Sequence, residues 1–357
     1  MYEKFGQFID GKWQKSEKNQ TYEVINPATE EIIGKASKAG RSDVEKALKS
    51  AEKGLKVWRN TAPWQRSYII RKIADKIREK QNVLAKWLTL EVGKPLAEGV
   101  GEAGGAADIF EWNAEETKRI YGQTVESRFE NTRVHVYYQP VGVVAALVPW
   151  NFPITLLGTK LGPALIAGNT VVVKPAGTTP LTTLRIAQLF MEAGLPAGVL
   201  NVVTGPGSTV GQELLENPIV RRIAFTGASD TGKKVMEAAA PEFKRITLEL
   251  GGSDPMIVMP DANLKAAVQG CRIGRFWNAG QACLAVKRLI LHEDIYDEFL
   301  EIIKLKQTSN EIKNKLEQLL ALDNNIKINV ALAKSSPIGV DTKEDFLALK
   351  KIMEYKN

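Results

Sequence analysis

The 357-residue sequence predicts an α/β protein built on a mostly parallel sheet, and one pattern repeated three times carries that prediction. "NTVVVKPA" is followed by "TTLRIAQLFMEAG", "VLNVVTG" by "STVGQELLEN", and "RRIAFTG" by "DTGKKVMEAAA". Short apolar runs alternating with helical segments of about 10–14 residues indicate βαβ units, whose strands are covered on both faces. Each run ends in a cluster of Gly, Pro or Thr, and in such sheets ligands lie outside the carboxyl ends of the strands. The pattern is that of a Rossmann-type nucleotide site, which by itself names no function.

At this length a second domain is expected. Hydrophobic content of 44% and charged content of 25% are those of a soluble globular protein. No run approaches the ~18 apolar residues of a membrane helix, so no membrane association is expected. "MYEKFGQFIDGKWQ" lacks the basic-then-apolar block of a secretory signal, and two cysteines cannot build a disulfide framework, so a cytoplasmic location is expected. The net charge is +7, but lysines interleave with glutamates, as in "RKIADKIREKQ". That alternation describes solvated helix faces and argues against a nucleic-acid partner.

From the N-terminus, residues 1–36 read as short strands with turns, and the Asp-Gly of "QFIDGKWQ" marks a hairpin. Residues 41–117 read as helical. "SDVEKALKSAEKGLKVW" opens with Ser42 and Glu45 spaced as a capping box. "RSYIIRKIADKIREKQNVLAKWLTLEVGKP" places Ile69, Ile73, Ile77 and Leu84 along one face, and Gly93 and Pro95 close it. From about residue 134 the texture turns β-rich with "RVHVYYQPVGVVAALVPW", and the strand–helix alternation follows.

Four stretches could carry chemistry. "IAFTGASDTGKKVM" puts Gly227 and Gly232 between a strand and a helix, followed by Lys233, close to the phosphate loop of NTPases. Lys234 stands where that loop needs a hydroxyl for magnesium, and Pro260 interrupts the nearest acidic strand end. A diphosphate resting on a helix N-terminus still fits, as does a turn that merely needs glycines. In "VPWNFP" two prolines stiffen the backbone around Asn151, whose amide suits either an oxyanion hole or an ordinary turn. In "TLELGGSDP" Glu249 sits among apolar residues at a strand end, placed for a base or for pairing with a nearby cation. "WNAGQACLAVKR" holds Cys283 behind Gly280 and Gln281. Metal coordination is excluded by the lack of ligands, since the only histidines are His135 and His292. A buried small hydrophobe and a thiol activated by nearby backbone N–H groups both remain. Cys271, in "VQGCRIG", reads as a packing residue.

Together, "PWNFP", "KPAGTTP", "FTGASDTG", "LELGG" and "GQAC", in this order and at this spacing, resemble the aldehyde dehydrogenase superfamily. "LTLEVGKP" and "NPATEEIIG" resemble its N-terminal signatures, and the likeness runs from about residue 6 to about residue 304. The resemblance implies an aldehyde-dehydrogenase-like α/β fold, with a parallel-sheet cofactor domain over residues 1–250 and an incomplete α/β catalytic domain over residues 251–305. It implies oxidation of a small aldehyde to its acid with NADP or NAD, through a thiohemiacetal and a thioester on Cys283. Asn151 would hold the oxyanion and Glu249 would activate water. The implied cofactor contacts are Pro149, Trp150, Lys174, Gly177, Gly207, Gly227, Gly232 and Leu250. Lys174 would hold the adenosine ribose, and Gly227 to Gly232 would cover the diphosphate. Residues 124–140 resemble the family's protruding hairpin, which implies a homo-oligomer or a complementing chain as partner. Residues 105–121, Trp112 and Arg119 among them, would line part of the substrate pocket.

Two features depart from the family pattern. Gly177 stands where many NAD-preferring members carry a glutamate on the ribose hydroxyls, so the balance tips toward NADP. After "HEDIYDEFLEIIK" the pattern stops, and the family's later "E-x-F-G-P" loop does not occur. Residues 306–357 read instead as helix, strand and helix, with Thr308 and Glu311 spaced as a capping box. A C-terminally truncated or rearranged relative is the expectation. Its rival is a catalytically impaired one that binds only nucleotide or a partner chain.

Overall fold

The structure is a computed structural model that describes residues 6–303; the elements expected over residues 306–357 lie outside the described residues. β1 (Gln7–Ile9) and β2 (Lys12–Gln14) form the Asp-Gly hairpin, with φ of 56° at Asp10 and 71° at Gly11. β3 (Thr21–Ile25) and β4 (Ile32–Ser37) make a second antiparallel pair. Four helices follow: α1 (Arg41–Trp58), α2 (Pro63–Glu79), α3 (Gln81–Val92) and α4 (Leu96–Glu116).

Two local expectations need correction here. The box at the start of α1 is not Ser42 with Glu45. Asp43 instead accepts the Gly40 N–H at 3.0 Å and the Glu17 N–H at 3.1 Å, and Ser42 hydrogen-bonds the Glu17 carboxylate. The helix therefore begins earlier, because a tertiary tie to the segment before β3 engages Asp43. The segment read as one helix up to Gly93 also divides at Lys80 into α2 and α3, where the backbone leaves the helical region at φ −102° and ψ 10°. Ile69, Ile73, Ile77 and Leu84 are nevertheless all buried, and Gly93 closes α3 in the left-handed conformation at φ 82°.

β5 (Gln123–Glu126) and β6 (Arg133–Val136) form the hairpin expected near residues 124–140, exposed on both faces. The alternation then runs β7 (Val143–Leu147), α5 (Thr155–Ile166), β8 (Thr170–Lys174), α6 (Pro180–Glu192), β9 (Leu200–Val202), α7 (Gln212–Glu216), β10 (Val220–Thr226), α8 (Ser229–Ala239) and β11 (Arg245–Glu249). β12 (Asp254–Val258), α9 (Leu264–Phe276), β13 (Val286–Leu291) and α10 (Tyr296–Ile303) complete the described chain.

The main sheet has the order β11-β10-β7-β8-β9-β1-β2, with β7 to β11 parallel and β1 antiparallel to β9. The chain steps outward from β7 to β9 and then returns past β7 to β10, so the order reverses between β7 and β10. Diverging connections open a crevice at the carboxyl ends there. Side-chain alternation divides the core. Val144, Ala146, Val171 and Val173 face the α2–α6 side, whereas Val143, Ala145 and Val172 face α1, α7 and α8. β12 and β13 form a separate parallel pair whose own cluster contains Val258, Val268, Phe299 and Cys271, the last a packing residue as expected. Among the described residues no helix is long and apolar enough to cross a membrane.

One buried carboxylate joins α3 to α6. Glu91 accepts the N–H groups of Leu181 and Thr182, at 2.5 and 2.9 Å, and the Thr182 hydroxyl at 2.5 Å, where the positive end of α6 favours an anion. Burial outweighs these bonds and pushes the Glu91 carboxyl up from 4.5 to about 7. The folded state thus holds the proton more tightly than the unfolded chain. The contribution is complete below about pH 4.5 and is lost as pH rises to about 7. Thermal melts of wild type and Glu91→Gln across this range should show stability falling with pH more steeply in the wild type. Parallel curves would exclude Glu91 as the titrating group.

Candidate active site

The carboxyl edge of the main sheet gathers the segments singled out in the sequence. β7 runs into Pro149, Trp150 and Asn151, β8 ends at Lys174, β10 ends just before Gly227, and β11 ends at Glu249, followed by Leu250. Their parallel register makes this convergence obligatory: Leu147 lies beside Lys174 and Phe225, and Thr226 beside Glu249.

Cys283 reaches the same place from the second unit. After α9 ends at Phe276, three consecutive residues take left-handed backbone, Asn278 and Ala279 at φ 55° and Gly280 at 79°. That sharp turn brings residues 281–283 back against the residue-151 loop. The Asn151 side-chain amide donates to the Gln281 carbonyl at 2.9 Å. Phe152 packs with Ala282 and Ala285, and its ring lies 5.0 Å from that of Trp277. A carboxamide has two N–H bonds, so Gln281 uses one and leaves the other for a ligand oxygen.

The electrostatics differ from the sequence expectation at one point. A nucleophilic cysteine was expected to have a depressed pKa; the Cys283 thiol is instead pushed up. Burial is the largest cause, followed by the charge of Glu249 and a hydrogen bond to it. The main-chain N–H groups of Leu284 and Cys283 act in the other direction, as the glycine-flanked turn suggested, but they are outweighed. The thiol therefore rests protonated beside the Glu249 side chain. Glu249 Oε2 is itself buried without a hydrogen-bond partner among the described residues.

A third ionisable group belongs to this site, and sequence reasoning missed it. Lys160 projects from α5, donates to Thr226 Oγ1 at 2.5 Å, and is lowered to about 8 by burial against the attraction of Glu249. Its signal was legible: it is the lone charge in the apolar helix "TLLGTKLGPALI". Lys160, Thr226 and Glu249 also line a largely apolar cavity of about 560 Å³ between α5 and the sheet.

The residues assigned to a cofactor line the same edge. Lys174 is buried, lowered by that burial, and donates to the Pro175 carbonyl at 3.0 Å. Gly177 and Gly207 are exposed, with open space where a side chain would stand. Gly227 donates its N–H to the Glu249 carbonyl at 3.1 Å, and α8 starts just beyond it at Ser229. Gly232 lies inside α8, where a Cβ would stand 2.6 Å from Leu250; its evident duty is close helix–strand packing. Lys233 pairs with Asp230 on the surface at 3.4 Å, unlike the lysine of a phosphate loop. Trp112 is exposed, and Arg119 is held by Glu116 at 2.8 Å on the surface.

Residues 13–323 match the Aldehyde dehydrogenase family. The chain is 44% identical over 310 residues to a glutarate-semialdehyde dehydrogenase of Pseudomonas aeruginosa, covering 87% of this chain and 64% of the relative. It is 43% identical over 333 residues to the NADP(+) succinate-semialdehyde dehydrogenase of Escherichia coli, covering 93% and 68%. Among solved structures, an NADP-dependent enzyme of E. coli superposes with a TM-score of 0.83 at 43% identity, over 85% of this chain and 63% of that one. A succinate-semialdehyde dehydrogenase of Burkholderia pseudomallei gives 0.82 at 42%, over 84% and 62%. The chain thus spans about two thirds of the length of these relatives.

The raised thiol makes a directional prediction. Alkylation of Cys283 by iodoacetamide should accelerate with pH up to a midpoint above the usual ~8.5 of a free thiol. Glu249→Gln removes the charge and should move that midpoint down, so the variant reacts faster at pH 8. A slower variant would show that Glu249 does not oppose the thiolate.

Proposed function

Because the chain belongs to the aldehyde dehydrogenase family, we propose that it oxidises a small aldehyde to its carboxylic acid with NADP or NAD, Cys283 being the nucleophile. The observation that carries this reading is the meeting of Cys283 and Glu249 at the carboxyl edge, with the Asn151 amide anchored two residues before the thiol. Glu249 takes the thiol proton as Sγ bonds to the aldehyde carbon, giving a thiohemiacetal. The free N–H of Asn151 and a backbone N–H hold the oxygen that gains charge in that step. When bound, the cofactor supplies the acceptor for the hydride that leaves this carbon, and a thioester on Cys283 remains. Once Glu249 has passed that first proton to solvent, it takes a proton from water as the water oxygen bonds to the thioester carbon. The C–S bond then breaks, the acid leaves, and the sulfur takes the proton from Glu249 to restore the thiol. Lys160, hydrogen-bonded to Thr226 and drawn to Glu249, offers that carboxylate a cation whose charge burial weakens as pH approaches about 8.

For the cofactor we favour NADP. Pro149, Trp150, Lys174, Gly207, Gly227 and Leu250 surround the edge where the adenosine and diphosphate would lie. Open space at Gly177 removes any carboxylate that would repel a 2′-phosphate, and Lys174 is the adjacent cation. The division into a cofactor-binding domain over residues 1–250 and a catalytic segment over residues 251–305 belongs to the same proposal. Separate sheets and separate apolar clusters support it. As partner we propose a second copy docking on the β5–β6 hairpin, where Val125, Val134 and Val136 are exposed.

The test follows NAD(P)H at 340 nm with succinic and glutaric semialdehydes and uncharged short aldehydes, each with NADP and NAD, beside Cys283→Ala. Turnover that favours NADP and is abolished in the variant is expected. Absent turnover in folded protein that still binds NADPH would instead make this a nucleotide-binding relative without the reaction. In light scattering the chain should be larger than a monomer; a monodisperse monomer would remove the hairpin proposal.

A further inference from the structure

Asn278 is fully buried at 0% exposure, yet it holds a left-handed backbone, and its side-chain oxygen Oδ1 has no partner among the described residues. A non-glycine residue in that conformation, with a buried acceptor unsatisfied, carries a cost that something else must offset. Its other polar atoms show what does. The side-chain Nδ2 donates to the Asn151 carbonyl at 2.9 Å and to the Gln281 carbonyl at 3.2 Å, using both of its N–H bonds. The main-chain N–H donates to Glu98 Oε2 at 2.6 Å, and the Asn278 carbonyl accepts from both the backbone and the side chain of Gln281, each at 3.0 Å.

The two carbonyls that Asn278 touches belong to the two loops of the site, and each is shared. The Asn151 carbonyl also accepts from Lys94 Nζ at 2.9 Å, and the Gln281 carbonyl also accepts the Asn151 side-chain amide at 2.9 Å. Both lone pairs of both carbonyls are therefore engaged. The Asn151 and Asn278 carboxamides cross-link the residue-151 loop to the residue-281 loop, while Lys94 and Glu98 hold the cross-link from the helical side. An interaction of this kind fixes separation and angle more than it contributes net stability, and displacements near 1 Å at a reacting centre can cost about 10²-fold in rate.

We propose that Asn278 is a positioning residue: by bridging the Asn151 and Gln281 carbonyls it sets where the free Asn151 N–H lies relative to the Cys283 sulfur. This rests on the reading of Cys283 as nucleophile and Asn151 as oxyanion donor. Asn278 touches neither substrate nor cofactor in this assignment and acts through Asn151.

Two reactions of the same thiol separate positioning from nucleophilicity in the full chain, and neither needs a cofactor. With iodoacetamide, Sγ bonds to carbon as iodide leaves, and no carbonyl oxygen at the reacting centre gains charge. With p-nitrophenyl acetate, Sγ bonds to the acetyl carbon through an oxyanion. The C–O bond then breaks, p-nitrophenolate leaves with the electron pair, and the thiol proton passes to Glu249. The ratio of the acylation rate to the alkylation rate at Cys283 thus reports the oxyanion donor.

Asn151→Ala should lower this ratio by about 10²-fold. Asn278→Gly keeps the left-handed backbone and removes only the bridge; it should lower the ratio roughly tenfold or more. Its alkylation rate and pH profile should stay within about twofold of wild type. Asn278→Asp, similar in size but lacking the amide donor, should behave like Asn278→Gly. In the Asn151→Ala background, Asn278→Gly should cost nothing further. An unchanged ratio in both Asn278 variants, or an equal loss with and without Asn151, overturns the positioning role. Equal losses in acylation and alkylation also overturn it, because they report a general effect on the thiol. A wild-type ratio that Asn151→Ala leaves untouched is a different result: it sinks the assignment of Asn151 as donor, and with it the basis of the inference.

Discussion

The candidate site depends on one buried ion pair. The side chains of Lys94 and Glu102 are each only 1% exposed and bonded to one another, far from the water that would normally hold such charges. Removing two charges from water costs several kcal/mol per ion, and the pair persists only where its remaining bonds are filled. Here they are. Lys94 also donates to the Asn151 carbonyl and sits 4.1 Å above the Phe152 ring, and Glu102 accepts the N–H groups of Ile154 and Thr155 at 3.1 and 3.2 Å. The pair thereby shapes residues 151–155, the path from β7 into α5, and gives α5 an anion at its positive end. Burial pushes the Lys94 ammonium down, while Glu102 and then Glu98 resist, so the charge is held by its neighbours.

From that anchor the order passes outward in two directions. Along α5 it reaches Lys160, whose ammonium meets Thr226 and feels Glu249. Through the Asn151 carbonyl it reaches Asn278, and so the left-handed turn that delivers Cys283. The helical segment α3–α4, remote in sequence from the chemistry, is thus the floor on which both loops are set. The arrangement also explains why the thiol is held protonated. A thiolate at rest would stand beside Glu249 in a poorly solvated place, so the stable state keeps the proton on the sulfur.

Much of this could be read from the residues. Three strand–helix alternations foretold the parallel sheet, because side chains buried on both faces leave apolar runs that turn chemistry must interrupt. Asp10-Gly11 announced its hairpin and Gly93 its helix end, since both depend on backbone conformations that few residues accept. The motifs around Asn151, Lys174 and Glu249 lie at one edge because parallel strands end together, whereas Cys283 arrives there through the left-handed turn at residues 278–280. The failures were local choices settled by distant partners. Asp43 displaced the Ser42 box by reaching Glu17, and Lys80 split a helix whose apolar face was read correctly.

The sequence by itself determined the architecture and the family resemblance, and it singled out the segments that meet at the candidate site, since each follows from residue type and spacing along the chain. Tertiary structure decided their states: a thiol raised where a lowered one was expected, an asparagine amide half spent on Gln281, a lysine drawn in from α5, and Asn278 bridging two loops. Protonation and hydrogen-bond partnership depend on burial and on charges brought within a few ångströms. The chain folds Lys94, Asn151 and Asn278 into that range from three separate segments, and no local pattern records their meeting.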